Sequence, residues 1–190
     1  MKVTSTLAAG CAVFLTAAAF GAPTTLRAPT PTVALLESRT DSAGTTTYWG
    51  NGASYEIVKP GLTAFLVRQA NGTLTPPLIR IVYVGDRWIN LQTVTFTVGE
   101  RSYGPYGDIY SNPTRIVAEE SLRVEALLFS VDSEEKWRMV DAIAEAEDLG
   151  RPVIAVFEGE VAYGIELDRT SKRATGEVVR GFREAAPQLP

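Results

Sequence analysis

The residues with the most chemistry to offer lie between Arg101 and Asn112, in the stretch RSYGPYGDIYSN. Tyr103, Tyr106 and Tyr110 sit there among Gly104, Pro105 and Gly107, with Asp108 beside them. Tyrosines in a glycine-rich loop give large contact area at low entropic cost, and each phenol can hydrogen-bond a sugar or a peptide. Trp88 and Trp49, both next to turns, can extend such a surface. The competing reading is that these rings close the open end of a β-sheet core and the glycines only let the chain turn. The binding reading singles out Tyr103, Tyr106, Asp108, Tyr110 and Trp88. Trp137, on a helical stripe, reads as core.

Acid–base chemistry has one weak candidate. Glu158 and Glu160 flank Gly159, and paired carboxylates are what a glycosidase uses, one as acid and one as base or nucleophile. Two acids on a tight turn stay in water, however, whereas a working pair comes from separated elements meeting in a cleft. The chain has no histidine and a single cysteine, Cys11. That excludes Ser-His-Asp and Cys-His catalysis and zinc sites of the usual ligand sets. No D-x-D-x-D-G calcium loop, glycine-rich phosphate loop, nucleophile elbow or dinucleotide fingerprint is present. The expectation is therefore no catalytic residue, no metal and no cofactor. Asn71-Gly72-Thr73 fits the N-glycosylation pattern, which matters only in a eukaryotic host.

The N-terminus carries an address. Lys2 precedes an apolar run, Leu7 to Phe20, and Ala19-Phe20-Gly21 places small residues ahead of Ala22. Residues 1–21 thus read as a secretory signal cleaved near Gly21/Ala22, giving a secreted or periplasmic protein. Two rival readings are lipidation at Cys11, where the apolar residue sits four rather than three positions ahead, and an uncleaved anchor. The apolar run falls at or below the roughly 17–25 residues that a spanning helix needs. With Cys11 removed, the mature chain is free of disulfides and rests on core burial alone.

Residues 22–47, rich in Thr, Pro and Ala, read as a semi-rigid linker, and 48–186 as a single α+β domain. The middle of that domain carries strand patterns separated by turns: Tyr48-Trp49 and Ala53–Val58 around Gly50-Asn51-Gly52, then Leu78–Val84, Trp88–Leu91, Thr93–Val98 and Arg101–Tyr103. Leu62–Ala70 is ambiguous between strand and helix, and 118–131 reads as helix at its start and strand at its end. Asp132, with Glu135 three residues on, predicts a capped helix that stops at Gly150. A hairpin spans 152–167, and a final helix runs from about Thr170 to Ala186 with Val178, Val179, Phe182 and Ala185 inward. The expected architecture is short antiparallel strands in a twisted sheet or partial barrel, with two packed helices near the C-terminus.

The net charge of −4 is unevenly spread. Acids dominate 119–148, and Arg169, Lys172, Arg173, Arg180 and Arg183 face Glu177 alone in 169–183, a basic face for an anionic partner or a solvated complement to the acidic one. Nothing interleaves aromatic with basic residues there, so nucleic acid is not an expected partner. The reading is of an exported, non-enzymatic binding or envelope-assembly module that recognises a protein or glycan of the cell envelope, with no membrane span after cleavage. The alternatives are a small histidine-free carboxylate hydrolase or lyase acting on cell-wall or polysaccharide substrates, and a membrane-anchored structural subunit of an envelope complex.

Overall fold

Residues 35–53, 59–118 and 121–185 are described by a computed structural model. The signal reading for 1–21, the first half of the linker and the strand expected through 54–58 lie outside them. In chain order the elements are β1 (Glu37–Thr40), β2 (Thr46–Trp49), β3 (Gly61–Arg68), β4 (Leu78–Gly85), β5 (Thr93–Val98), β6 (Arg101–Gly107), β7 (Thr114–Val117), β8 (Arg123–Ser130), α1 (Glu134–Asp148), β9 (Val153–Glu158), β10 (Tyr163–Glu166) and α2 (Arg169–Ala185). The class is α+β, with antiparallel strands in two sheets and two helices toward the C-terminus. Six strands align as β1-β2-β3-β4-β8-β7 and four as β10-β9-β5-β6. Neither sheet closes into a barrel among the described residues.

Strict alternation builds the core. Ile79, Ile81 and Tyr83 of β4 meet Val94 and Phe96 of β5, Val153, Ala155 and Phe157 of β9, and Leu127 and Phe129 of β8 in one buried cluster, which α1 and α2 complete through Met139, Val140, Ile143, Val178, Val179 and Phe182. On the other face of the six-stranded sheet, Val82, Val124 and Ala126 form a second buried cluster. Its centre is apolar on both sides, which explains the contiguous apolar run Ala126–Phe129 that periodicity alone could not assign. Residues 123–130 are strand throughout.

The ends of α1 follow from its chemistry, with two changes from the sequence reading. The α1 cap is Ser133, extended at φ −133 and ψ 156, whose hydroxyl accepts from Lys136 N at 3.4 Å. Asp132 instead takes the Lys136 ammonium at 2.8 Å and the Ser130 hydroxyl at 2.7 Å. Glu135 turns away from the cap toward β6. At the other end, Gly150 adopts φ +62, Arg151 N donates to Ala146 O at 2.8 Å and Gly150 N to Glu147 O at 3.2 Å, a Schellman closure. The helices pack antiparallel, with Trp137 on Phe182 and Asp141 on Arg183. Gly176 lets them pack closely, since a Cβ there would sit 3.2 Å from that of Ala144. Ala185, expected inward, is exposed.

The sheet also starts earlier than the composition suggested. All of β1 and half of β2 fall within 37–47, part of the stretch read as linker. Their pairing runs from Glu37↔Trp49 to Thr40↔Thr46, around a turn in which Asp41 accepts from the amides of Ala43 and Thr45. No described helix is long and apolar enough to cross a membrane.

Candidate functional site

One loop carries the chain from the six-stranded sheet to the four-stranded sheet. Residues 86–92, between β4 and β5, are irregular rather than the strand expected at Trp88–Leu91. Glu125 holds them. It lies on β8 on the same side as Leu127 and Phe129, its side chain is 0% exposed, and its two oxygens accept from Ile89 N at 2.6 Å and Leu91 N at 2.8 Å. Arg115, on β7, places Nε 3.3 Å from the same carboxylate and donates Nη2 to Asn90 Oδ1 at 2.9 Å. A buried charge is tolerated only when its lone pairs are satisfied in this way.

The other side of the loop is fixed by the β9–β10 turn. Glu160 N donates to Ile89 O and Gln92 N to Glu158 O, both at 2.8 Å. A Cβ on Gly159 would collide with the carbonyl oxygens of Ile89 and Asn90, so only glycine lets the turn approach this closely. The two acids of that turn are engaged: Glu158 accepts from the Thr93 hydroxyl at 2.7 Å and Glu160 from the Asn90 carboxamide. They act as fasteners on neighbouring elements and do not converge on a cleft.

Beside this junction a groove of about 400 Å³ opens, lined by Asn90, Gln92, Asp108, Ser111, Asn112 and Arg115, with Leu91, Gly107 and Pro113 completing its walls. Among the described residues the non-glycine positions with positive φ are Asn90 at +50 and Ser111 at +67, and both line this groove. Asn tolerates that conformation through local hydrogen bonds; Ser is less suited to it. The groove's far wall is the loop between β6 and β7. Asp108 organises it, with Oδ1 accepting from Tyr110 N at 2.7 Å and Oδ2 from Leu128 N at 2.9 Å, while Ile109 N donates to Leu128 O at 2.8 Å.

The five residues singled out from the sequence separate in space. Asp108 lines the groove, and Tyr110, 72% exposed, stands on the same loop. Trp88 reaches the groove only through Arg115, whose guanidinium lies 5.8 Å from its ring centroid; Arg123 lies at the same distance. Tyr106 belongs to the core, 6% exposed against Phe96 and Phe129. Tyr103 packs at the core's edge and lines a different cleft of about 550 Å³, with Val98, Arg101, Leu149 and Arg151, between the β5–β6 hairpin and the end of α1.

A β-bulge explains the division. The register of β6 on β5 shifts between Val94↔Tyr106 and Phe96↔Tyr103. Residues three apart on a strand normally face opposite sides, but the bulge turns both rings to the side of Val94 and Phe96. The segment 101–107 is thus edge strand rather than loop, with Pro105, which has no N–H to offer, at that edge. The Tyr106 hydroxyl donates to Glu135 Oε1 at 3.1 Å; burial, and then this bond, push its pKa well above the ordinary value. Tyr83 is raised too, by burial first and then by Asp86.

The groove-forming residues Asn90, Gln92, Ser111, Asn112 and Arg115 were not anticipated. Ser111-Asn112-Pro113 is a readable turn signal, but nothing local shows that it meets Asn90, which arrives on the loop between β4 and β5. Glu125 has a clearer signature: a lone carboxylate in step with Leu127 and Phe129. Among the described residues no cluster of three or more His, Cys, Asp or Glu side chains is arranged to hold a metal ion.

Compared with protein-family models, with curated proteins and with solved structures, the chain matches none.

Proposed function

We propose that this chain is an exported, non-enzymatic binding module of the cell envelope, and that the groove bounded by Asn90, Asp108, Ser111 and Arg115 is its recognition surface. The observation that carries the reading is the placement of two left-handed, non-glycine residues, Asn90 and Ser111, in one polar groove. Such conformations cost of order 1–3 kcal/mol each and persist where surrounding contacts hold them, commonly at ligand sites. Here the holding contacts are the Glu125 clamp on one wall and the Asp108 turn on the other. Glu158 and Glu160, the acid pair offered by the sequence, are committed to fastening neighbouring elements. The signal-like residues 1–21 support export, and the partner is an envelope protein or glycan.

The test combines address with recognition. The protein purified from its own host is expected to begin at Ala22 by intact mass, in the periplasm or medium. A mass beginning at Cys11 with acyl chains, or at Met1 in the membrane fraction, overturns the soluble-module reading in favour of an anchored subunit. Recognition is read with Gly107→Phe. A Cβ at Gly107 has room, 3.5 Å from Gln92 O, and a ring there fills the groove. Immobilised wild-type protein should retain an envelope glycan or protein that Gly107→Phe does not. Equal retention by both places recognition elsewhere.

A further inference from the structure

We infer that the groove takes a neutral, polyhydroxylated ligand, a short stretch of uncharged glycan; this rests on the groove being the recognition surface. The argument is an inventory of which polar groups remain free to meet a ligand. Asp108 spends both oxygens on the amides of Tyr110 and Leu128. Arg115 turns Nε to Glu125 and one Nη2 hydrogen to Asn90, which leaves Nη1 and the second Nη2 hydrogen as spare donors. The Asn90 carboxamide is used at both ends, its oxygen by Arg115 and its nitrogen by Glu160. The charged groups at the groove are therefore tied to one another or to backbone, and Arg115 keeps donors to spare.

Three neutral side chains are left wholly unengaged. Gln92, Ser111 and Asn112 are exposed at the groove wall, and their side chains make no hydrogen bond among the described residues. Each is ditopic: a carboxamide donates two hydrogen bonds and accepts through its oxygen, and a hydroxyl does both. Sugar hydroxyls are ditopic in the same way, so each can be answered without stranding a donor or an acceptor.

Electrostatics points in the same direction. One guanidinium is set among three carboxylates, Asp108, Glu125 and Glu160, so the local field disfavours a phosphate, sulfate or uronate. A cation would find no free carboxylate at Asp108. The volume of about 400 Å³ lies within the range of small-ligand sites, roughly 300–1,000 Å³. The two strained residues fix the spacing of the free groups: Ser111 is itself one of them, and Asn90 adjoins the segment that presents Gln92.

The experiment maps backbone amide shifts of the ¹⁵N-labelled chain, from residue 22 onward, against four probes. Two are neutral, a glucose oligomer and an N-acetylglucosamine oligomer; one is a galacturonate oligomer and one a lysine-rich octapeptide. The expected result is saturable movement of the amides of Gln92, Ser111, Asn112 and Arg115 with a neutral probe only. The double variant Gln92→Ala, Asn112→Ala, checked for an unchanged core spectrum, should weaken that binding about tenfold, the loss expected for one or two neutral hydrogen bonds. Movement of the groove amides with the uronate or the peptide, but with neither neutral probe, overturns the ligand class and leaves the groove as the site. Binding that moves only amides remote from the groove, or no binding by any probe, overturns the inference together with the reading beneath it.

Discussion

Replacing Glu125 by Gln keeps the shape of the side chain and removes its charge, and the structure says what this costs. The carboxylate answers two buried amides, Ile89 N at 2.6 Å and Leu91 N at 2.8 Å, and faces Arg115 Nε at 3.3 Å. A carboxamide can accept from one of those amides, but its NH₂ then faces the other, which is left unanswered. Hydrogen bonds to charged groups contribute about 1.5–3 kcal/mol, and a stranded buried donor costs about 1–3 kcal/mol. These figures describe the same lost bond and are not added. The Arg115 side is discounted, because that side chain is 44% exposed and water screens it. The expected destabilisation is about 1.5–3 kcal/mol, or a fall in Tm of about 3–12 °C for a chain of this size. Arg115→Met, which leaves both amide bonds in place, should cost about 1 kcal/mol or less by the same accounting. Urea unfolding followed by tryptophan fluorescence gives both numbers, and hydrogen exchange should show protection lost first at the Ile89 and Leu91 amides. If Glu125→Gln costs less than about 1 kcal/mol, or less than Arg115→Met, the clamp is not what holds the 86–92 loop and the reasoning fails.

Gly159→Ala forces a methyl into the carbonyls of Ile89 and Asn90, and should destabilise by about 1–3 kcal/mol or more, read in the same urea experiment. Ser133→Ala should remove about 1 kcal/mol by loss of the α1 cap, whereas Asp132→Asn, at an exposed pair, should change stability by much less; the reverse order in thermal unfolding would reassign the cap. Because the Tyr106 pKa is raised in the folded chain, its contribution is complete below the unfolded value of about 10 and is lost as pH climbs past it, since the unfolded chain gives up its proton first. Unfolding midpoints between pH 8 and 12 should therefore fall less steeply in Tyr106→Phe than in the parent; identical slopes would show that the phenol is not sequestered. Asp132, held low by the bonds from Lys136 and then Ser130, works in the opposite sense: its small contribution is present above the ordinary carboxylate range and fades as pH drops, and Asp132→Asn should flatten the acid limb slightly.

The elements were legible where a local rule decides them. Gly150 stops α1 whatever surrounds it, and the β-branched alternation of Thr93–Val98 is strand in any context. The site was not legible, because it is assembled by register. Tyr103 and Tyr106 look like partners in a loop until a bulge in the β5–β6 pairing turns both toward Phe96, and its one local signal, Gly104-Pro105, reads equally as a loop turn. Asn90 and Ser111 become neighbours only because β8 pairs with β4 on one side and β7 on the other, bringing Arg115 to the Glu125 that clamps the crossing loop. A carboxylate in step with Leu127 and Phe129 is the feature of this chain that points past local structure. Its burial requires donors, the amides of its own strand are committed to β-sheet pairing, and so a loop from elsewhere has to arrive with free N–H groups. Here that loop is 86–92, and the groove is the space left where it meets the turn that Asp108 holds.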